Sequence, residues 1–276
     1  MTPEDFSFLA RLLRRRSGLF LNAARHDLVE RRLVPVMRRF GFRDAAGLVN
    51  ELRLGRETLA AAVTEAVTVN DTAFFRDTKV FEHFKTVLLP AMLKARAASR
   101  RLRIWSAACA TGQEAWSIAM ILDGMGLAAR GWTIDLIATD ISREAIARAE
   151  EGRYDALEAA RGLTDDQRAS WFRASGDQLV VTDHLRRMVD FRVFNLLDSF
   201  GWLDDLDIIF CRNVLLYFDP AAKAAVLERM ADTMAPDGFL LLGDTETTAP
   251  LISQFIALPD CDSLYARART PVARYA

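Results

Sequence analysis

Apolar positions at helical spacing dominate the first 67 residues of the chain. Phe6, Leu9 and Leu13 form one such apolar stripe, and Gly18 follows where that helix should end. Pro35 lies inside the next helical pattern and predicts a kink or a break there. The predicted helices cover residues 3–16, 24–40, 45–53 and 57–67. Because no run in this part alternates as a strand does, we expect a small all-α domain over residues 1–67.

The pattern changes after a long amphipathic segment at residues 79–99. Short apolar runs, typical of buried strands, now alternate with helical runs. The strands are predicted at 102–106, 133–140, 206–211 and 239–244, and the helices at 113–126, 142–153 and 220–234. This alternation predicts an α/β doubly wound domain, in which helices cover both faces of a parallel sheet.

Three smaller features complete the predicted organisation. Residues 176–194 contain two alternating runs and predict a small antiparallel β subdomain. Residues 235–238, Ala-Pro-Asp-Gly, predict a turn, and residues 263–268 predict a last strand. We therefore expect a linker at 68–85, which joins the helical domain to an α/β domain at 86–276.

The composition is typical of a soluble globular protein. Of the 276 residues, 51% are hydrophobic and 26% are charged, with a formal net charge of −1. No apolar stretch reaches the ~18 residues that span a bilayer, and the first residues do not resemble a signal peptide. The widely spaced Cys109, Cys211 and Cys261 fit a reducing compartment better than disulfides or a metal site. The sequence thus predicts a cytoplasmic protein with no metal and no membrane insertion.

Charge is unevenly distributed along the chain. Residues 1–66 hold twelve arginines and eight acids, a net charge of +4, so the remaining residues sum to −5. A basic amino-terminal region on an acidic body favours a negatively charged partner. Arginines that merely face water explain the same charge, so the pattern by itself leaves both interpretations open.

The segment 103–120 predicts a strand, a turn and a helix, which is the layout of a nucleotide-cofactor loop. It contains neither G-x-G-x-x-G nor G-x-x-x-x-G-K-[ST], so dinucleotide and P-loop phosphate binding lose their main support. Its single glycine, Gly112, suits a ligand without a phosphate. Glu114 favours an amine-bearing ligand, although an acid in the first turn of a helix is also stabilised by the helix dipole.

Asp140 ends the second predicted strand of the α/β domain. An acid in this position can accept hydrogen bonds from both ribose hydroxyls, and it can equally cap the helix that follows. Taken with Glu114 and the lack of a glycine-rich loop, the ribose interpretation is favoured. The cofactor that fits is S-adenosylmethionine, which has a ribose, an adenine, an amino-acid tail and no phosphate.

Two further stretches carry candidate chemistry. Residues 68–77 lie in the linker and contain Asn70, Thr72 and Arg76, and an arginine there can orient a carboxylate through two hydrogen bonds. Residues 210–220 run from a strand into Arg212, Asn213 and Tyr217. An ordinary linker and an ordinary loop would be the alternatives. Residues 193–198 and 243–246 are weaker candidates of the same kind.

Four blocks of the sequence together resemble a known family, the chemotaxis receptor glutamate O-methyltransferases of the CheR type. The blocks are N-D-T-A-F-F-R at 70–76, W-S-A-A-C-A-T-G-Q-E at 105–114, F-C-R-N-V-L-L-Y-F-D at 210–219 and P-D-G-F-L-L-L-G-D-T-E at 236–246. The resemblance covers nearly the whole chain. It implies a Rossmann-like S-adenosylmethionine-dependent methyltransferase domain with a small antiparallel β subdomain, preceded by a small all-α domain.

The resemblance also implies roles for individual residues. Arg76 and Tyr217 resemble the pair that positions the acceptor glutamate, and Arg76 also resembles a cofactor contact. The other residues that resemble cofactor-binding positions are Asn70, Thr72, Glu114, Asp140, Asn195, Leu196, Arg212 and Asn213. The basic amino-terminal helices resemble those that contact the helical bundle of chemoreceptors.

The sequence departs from the family pattern in three places. Gln113, Ala115 and Trp116 replace an acid, a proline and a tyrosine in the cofactor loop, and Asp244 stands where the family has a histidine. The region around residues 175–177 lacks a glycine-rich insertion that in this family accompanies binding of a tethering peptide from the receptor carboxyl terminus. We therefore expect no tether-peptide binding.

The expected reaction transfers a methyl group from S-adenosylmethionine to glutamate side chains of chemotaxis receptors and leaves S-adenosylhomocysteine. A glutamate with a pKa of ~4.3 is already ionised at neutral pH, so the reaction needs no strong base and no catalytic histidine. The alternatives are a non-catalytic signalling module that binds the cofactor or its product, and a methyltransferase of small molecules or nucleic acid. Neither is favoured by the residues, and no nucleic-acid partner is expected.

Overall fold

The computed structural model describes residues 1–248, 252–259, 261 and 263–268. Within these residues the chain divides into two compact units. The first consists of Met1–Val69 together with Tyr217–Lys223, and the second consists of Asn70–Leu216 and the described residues from Ala224 onward. The sequence did not indicate that a segment from the carboxyl-terminal half would cluster with the first unit.

The first unit is built from four α-helices, as the periodicity predicted. They are α1 (Pro3–Ser17), α2 (His26–Phe40), α3 (Ala45–Arg53) and α4 (Glu57–Val67). Thr2 and Asp5 form a capping box that satisfies amides at the start of α1, and Gly18 ends that helix. Of the kink or break predicted at Pro35, the break is wrong, because α2 continues through this residue. Apolar side chains such as Leu9, Leu33 and Leu48 are fully buried between these helices.

The second unit contains the remaining helices and all the named strands. One long helical stretch begins it: α5 (Thr78–His83), a π-helical segment (Phe84–Leu88) and α6 (Leu89–Ala95). The other helices are α7 (Gln113–Gly124), α8 (Arg143–Glu151), α9 (Ala156–Ala160), α10 (Asp165–Trp171), α11 (Asp183–Arg186) and α12 (Pro220–Thr233), of which α12 begins at residues that cluster with the first unit.

A seven-stranded mixed sheet forms the centre of the second unit. Its strands are β1 (Arg101–Ala107), β2 (Thr133–Asp140), β6 (Val189–Val193), β7 (Leu206–Cys211), β8 (Met234–Leu242), β9 (Phe255–Ala257) and β10 (Leu264–Arg267). The spatial order is β6-β2-β1-β7-β8-β10-β9. The first five of these strands are parallel, while β10 runs antiparallel to β8 and β9 antiparallel to β10. The α/β prediction is confirmed, and the strand order reverses at β1, where ligands bind in such sheets.

A separate three-stranded antiparallel sheet has the order β3-β5-β4. Its strands are β3 (Arg153–Asp155), β4 (Phe172–Ser175) and β5 (Gln178–Val181). The range expected for this subdomain, 176–194, is therefore wrong in part. Only its first run, β5, belongs to the small sheet, whereas its second run, β6, pairs with β2 in parallel at the edge of the main sheet. An alternating pattern shows that one face of a strand is buried, but it does not specify the direction of the neighbouring strand.

The expected turn at 235–238 also differs from the structure. These residues lie within β8, between Met234, which pairs with Leu206, and Phe239, which pairs with Ile208. The pairing register shifts between these two points, so the extra residues form an irregularity in the strand. Pro and Gly predicted a change of chain direction, and the structure accommodates them in a bulge instead.

Candidate functional site

The carboxyl end of β1 leads into a loop that is tied to β2. Ala108 and Ala110 in this loop have left-handed φ values of 59° and 49°. The amide of Cys109 donates to the carbonyl of Thr139 over 2.9 Å, and the amide of Ala110 donates to Asp140 Oδ2 over 2.9 Å. The loop backbone is therefore held against the end of β2.

Gly112 ends this loop with a φ of 95°. A Cβ added there would lie 2.8 Å from the Cβ of Ala149 in α8, which is too close for two carbon atoms. The single glycine of the loop is thus required by its own conformation and by the close approach of α8.

Glu114 lies in the first turn of α7 and is only 8% exposed. Its Oε1 accepts from Ser106 Oγ over 2.8 Å, and its Oε2 lies 3.0 Å from Nη1 of Arg212. Burial raises the pKa of Glu114 above its ordinary value, even though Arg212 and Ser106 act in the opposite direction. Glu114 is thus more than a helix-start acid stabilised by the helix dipole, because its carboxylate is buried and held by Ser106 and Arg212.

Arg212 follows β7 and joins three parts of the second unit. Its side chain is 1% exposed. Besides its bond to Glu114, Nη2 donates to the carbonyl of Arg76 over 2.7 Å and to Oδ2 of Asp77 over 2.7 Å. A buried guanidinium needs such partners, because an unpaired buried charge is strongly destabilising. Arg212 therefore links the predicted linker segment to the acid of the cofactor loop.

Residues 70–77 are fixed by further contacts within the second unit. The amide of Phe75 donates to Ser117 Oγ of α7 over 2.9 Å, and the ring of Phe74 packs edge-on against Tyr154 at 5.0 Å between centroids. Arg76 is half-buried and donates from Nη1 to the carbonyl of Asp71 over 2.8 Å. The linker segment is therefore an ordered part of the second unit.

Asn70 and Thr72 in the same segment are half-buried. The side-chain oxygen Oδ1 of Asn70 is buried and has no hydrogen-bond partner among the residues that the structure describes. Such an atom is costly unless a ligand or water donates to it. A cofactor with an amine or hydroxyl donor fits this position.

Asp140 is 5% exposed, and its carboxylate accepts the amides of Ala110 and Ser142, each over 2.9 Å. The helix-cap alternative for Asp140 is wrong, since the N-cap of α8 is Ser142, whose hydroxyl accepts from the amide of Ala145. Asp140 instead fixes the cofactor loop against the end of β2. A buried carboxylate at a strand end remains suited to a ribose hydroxyl pair.

Asn195 and Leu196 lie beside the end of β2. The amide of Phe194 donates to the carbonyl of Asp140 over 2.8 Å, which places the following residues next to that strand end. Asn195 Oδ1 accepts from the amide of Leu197, and the buried Leu196 has its carbonyl held by Arg229 Nη2 over 2.7 Å. The structure thus brings this pair close to Asp140.

Asn213 follows Arg212 in a left-handed conformation with a φ of 58°. Its amide donates to the carboxylate of Glu246 over 2.7 Å. Glu246 is a buried residue that the sequence indicated only weakly, through the 243–246 segment. The sequence feature that pointed to Glu246 was an acid shortly after the carboxyl end of a predicted strand.

Tyr217 belongs to the first unit, whereas the other predicted site residues belong to the second. The guanidinium carbon of Arg25 lies 5.6 Å from the centroid of the Tyr217 ring, and the amide of Phe20 donates to its carbonyl over 2.7 Å. The sequence did not indicate either contact.

The loop residues that depart from the family pattern are buried. Gln113 is 2% exposed and accepts the hydroxyl of Thr111 over 2.8 Å. Ala115 is fully buried, and Trp116 packs edge-on against Phe191 at 5.1 Å between ring centroids. These substitutions are therefore accommodated in the interior around α7.

No group of His, Cys, Asp and Glu able to hold a metal ion occurs among the described residues. No helix in the described part of the chain is long and apolar enough to cross a membrane. The candidate site described above contains the buried carboxylates of Glu114 and Asp140, side-chain amides and the buried Arg212. This set suits a polar organic ligand with an amino group and hydroxyls.

Two family models match the chain in succession. Residues 4–68 match the all-alpha domain of CheR methyltransferases, and residues 70–259 match their SAM-binding domain.

Curated relatives carry the same description. The chain is 37% identical over 260 residues to the chemotaxis protein methyltransferase of Vibrio parahaemolyticus, with 92% of this chain and 93% of the relative covered. It is 38% identical over 248 residues to chemotaxis protein methyltransferase 1 of Pseudomonas aeruginosa, covering 88% and 89%. It is 35% identical over 263 residues to the chemotaxis protein methyltransferase of Escherichia coli, covering 92% and 88%.

The two matched domains correspond to the helical unit and to the unit that contains the mixed sheet, the buried acid Glu114 and the strand-end acid Asp140. The S-adenosylmethionine cofactor that the loop predicted is confirmed by the second family model. The chain belongs to the CheR family of chemotaxis methyltransferases, and it carries the S-adenosylmethionine-binding domain of that family.

Proposed function

We propose that this protein methylates glutamate side chains of chemotaxis receptors and so forms γ-carboxyl methyl esters. The observation that carries the proposal is the buried Arg212, which joins the segment of Arg76 to the acid of the cofactor loop, Glu114. This network couples a candidate acceptor-binding arginine to the cofactor site through fixed side chains. Such preorganisation is what alignment of two reactants requires.

The proposed methyl transfer requires alignment of the acceptor carboxylate with the methyl group and does not require proton transfer. When bound, S-adenosylmethionine supplies a methyl group on a positively charged sulfur, which takes the bonding electron pair as the methyl leaves. A carboxylate oxygen of the acceptor forms the new bond to carbon, and the product ester is neutral. Because an exposed glutamate with a pKa of ~4.3 is ionised at neutral pH, no residue has to remove a proton.

Arg76 is proposed to hold the acceptor carboxylate. One of its nitrogens is committed to the carbonyl of Asp71, and its carbonyl is held by Arg212. The planar guanidinium offers further donors in a geometry that matches a carboxylate. Tyr217 is proposed to orient the same carboxylate through its hydroxyl.

The remaining polar residues are proposed to bind the cofactor. Glu114 would meet the cofactor ammonium and Asp140 the ribose hydroxyls, while Asn70 offers Oδ1, which has no hydrogen-bond partner among the described residues. The further proposed contacts are Thr72, Asn195, Leu196, Arg212 and Asn213. We propose accordingly that residues 68–85 act as a linker that contributes to the site.

The arginine-rich helices are proposed to contact the helical bundle of the receptor. Four arginines of the first unit form ion pairs with described acids, for example Arg16 with Glu57 and Arg14 with Asp219. Five exposed arginines of α1 and α2 form no ion pair with any described residue: Arg11, Arg15, Arg31, Arg38 and Arg39. They would match an acidic helical surface.

Two negative expectations complete the proposal. The hairpin between β4 and β5 has a turn of two residues, Gly176 and Asp177, and no insertion. We propose that it does not bind a receptor tether peptide. The protein is also proposed to act in the cytoplasm, where the methylated parts of chemoreceptors lie.

Labelled S-adenosylmethionine and a soluble cytoplasmic fragment of a receptor from the same cell test the proposal. The wild-type protein is expected to transfer label to the receptor in repeated turnovers. A non-catalytic binding module would saturate with cofactor and transfer nothing, and that result would overturn the proposed activity.

Arg76→Ala tests the acceptor role, with Arg161→Ala as its matched control. Arg161 is exposed and contacts the same segment only through Asp71, at 3.4 Å. We expect Arg76→Ala to lower kcat/KM for the receptor by about 100-fold, because misplacement of a reactant by ~1 Å costs that much. Full transfer and full cofactor affinity in Arg76→Ala would show the assignment to be wrong.

A further inference from the structure

Glu246 is a buried acid that the proposed reaction does not use. It is 5% exposed and forms no ion pair with any residue in the described ranges. A buried carboxylate without a cation is costly unless hydrogen bonds replace its hydration. The carboxylate of Glu246 therefore needs hydrogen-bond donors from the residues around it.

Four backbone amides supply those hydrogen bonds. Oε2 accepts from Asn213 at 2.7 Å and from Gly243 at 2.8 Å. Oε1 accepts from Val214 and from Leu216, each at 3.1 Å. Three of the four donors lie in the loop that follows β7, so one side chain determines the course of that loop from Asn213 to Leu216.

Gly243, Asn213 and Glu246 are closely packed. A Cβ added to Gly243 would lie 2.6 Å from Nδ2 of Asn213, 2.9 Å from Oε2 of Glu246 and 3.0 Å from the amide nitrogen of Asn213. Asn213 itself has a φ of 58°, a conformation that asparagine tolerates better than most residues. The carboxylate, the glycine and the asparagine are thus packed as one cluster.

We propose that Glu246 is a positioning residue of the cofactor site, which sets the placement of Asn213 by holding the amides of Asn213, Val214 and Leu216. The inference rests on the proposed assignment of Asn213 to the cofactor. It gives the acid of the 243–246 segment a role in cofactor affinity, distinct from contact with either reactant.

Glu246→Gln keeps the shape of the side chain and replaces one oxygen by an NH2 group. Since each carboxylate oxygen accepts two amides, either orientation of the glutamine points donors at two amide donors. The matched control is Asp244→Asn, which also removes one acid from this segment. Asp244 is exposed, and among the described residues its side chain accepts only from Ser263 Oγ, at 3.3 Å.

Calorimetric binding of S-adenosylhomocysteine is the first readout. We expect Glu246→Gln to weaken binding at least ten-fold and Asp244→Asn to weaken it less than two-fold. The KM for S-adenosylmethionine should rise by a similar factor, while the KM for the receptor changes less than two-fold. A loss smaller than ten-fold in Glu246→Gln, or an equal loss in the control, would overturn the proposal.

Coupling to Asn213 separates positioning from general stability. The double variant Glu246→Gln with Asn213→Ala should bind no more than three-fold more weakly than Asn213→Ala alone, because the carboxylate acts through that residue. Two losses that multiply fully would overturn the proposal. If Glu246→Gln does not fold, Gly243→Ala replaces it, since it retains the carboxylate and displaces Asn213, with the same ten-fold criterion.

The binding measurement needs no receptor, so failure of the inference differs from failure of the proposed function. A wild-type protein that binds the cofactor but never methylates a receptor would refute only the substrate. An Asn213→Ala variant with wild-type affinity would refute the assignment on which the inference rests, whatever the activity toward receptors.

Discussion

Glu114 combines burial with a cationic partner, and this combination controls its protonation. Burial raises the pKa of its carboxyl above the ordinary value, while Arg212 and Ser106 favour the ionised form. In the free protein, ionisation of this buried group is costly, so its contribution to the free energy of unfolding decreases as the pH rises through the raised pKa. A bound ammonium group would reverse the preference, because it pairs with the ionised form.

This proposed pairing makes cofactor binding sensitive to pH. As the pH falls through the raised pKa of Glu114, a growing fraction of the carboxyl is protonated and affinity for S-adenosylhomocysteine should fall. Glu114→Gln should bind more weakly at neutral pH and lose this pH dependence. Titration calorimetry from pH 8 downward measures both, and an unchanged pH profile in Glu114→Gln would refute the ammonium contact.

Asp207 is a second buried charge, and the half-buried Arg96 is its cationic partner. Arg96 pairs with Asp207, whose side chain is 4% exposed, and with Asp237. Burial raises the pKa of Asp207, and the amide of Arg103 also donates to this carboxylate, over 2.8 Å. The carboxylate of Asp207 thus joins the start of β7 to β1, through the amide of Arg103, and to the end of α6, through Arg96.

Removal of the Arg96 side chain should therefore lower the free energy of unfolding far more than removal of an arginine from an exposed ion pair. Arg96→Met leaves Asp207 buried without its cation and should lower the free energy of unfolding by about 3 kcal/mol. Arg101→Met breaks a pair with Asp135 in which the arginine is 55% exposed, and it should cost about 0.5 kcal/mol. Urea unfolding measures both losses, and equal values would show that the burial of Asp207 does not determine the cost.

Among the elements, the linker segment 70–77 depends on a glycine far along the chain. Gly162 has a φ of 107°, and a Cβ added there would lie 1.9 Å from the carbonyl oxygen of Phe74. Either the linker segment or the chain around Gly162 must move to admit a methyl group. The position of Arg76 is thereby tied to a residue in the connection between α9 and α10.

Gly162→Ala should consequently lower the free energy of unfolding by about 3 kcal/mol, from overpacking together with an unfavourable φ. Cofactor affinity should fall with it. Gly176→Ala is the matched control, because Gly176 also has a positive φ of 64° but open space around its Cα, and it should cost about 1 kcal/mol. A Gly162→Ala protein as stable as Gly176→Ala would contradict the close approach.

The sequence predicted the elements of the fold better than their partners. Helices such as α3 and α4 followed from local periodicity, and β2 from a short strand-like run, so the prediction of each element needs only neighbours in the chain. The partner of β6 did not follow, because alternation carries no information on strand direction. The contact of Arg212 with Glu114 spans 98 residues, and no local pattern reports it. Resemblance to the family indicated both residues, but not their bond.

For the whole molecule, the distribution of charge defines the proposed receptor surface. The net charge of +4 over residues 1–66 only suggested an acidic partner. The structure reduces the number of arginines available for a receptor, because residues such as Arg16 are already neutralised by an acid of this chain. Among the exposed arginines that form no ion pair with a described residue, Arg31 and Arg38 lie two turns apart on α2.

Reversal of these two charges should weaken receptor methylation selectively. Arg31→Glu with Arg38→Glu should raise the KM for the receptor fragment at least ten-fold at low salt, and less as salt screens the charges. Lys94→Glu with Arg130→Glu is the control, because both residues are exposed, form no ion pair with described residues and give the same change in net charge. Similar KM values for the two double variants would place the receptor elsewhere.

Mapping of the methylated residue tests whether the protein forms a glutamate methyl ester. The protein, methyl-labelled S-adenosylmethionine and a receptor cytoplasmic fragment are incubated together, and the fragment is then analysed by peptide mass spectrometry before and after mild base. We predict label on glutamate side chains that base releases as methanol. Label that withstands base, or a receptor that stays unlabelled while the protein binds cofactor, would contradict this prediction.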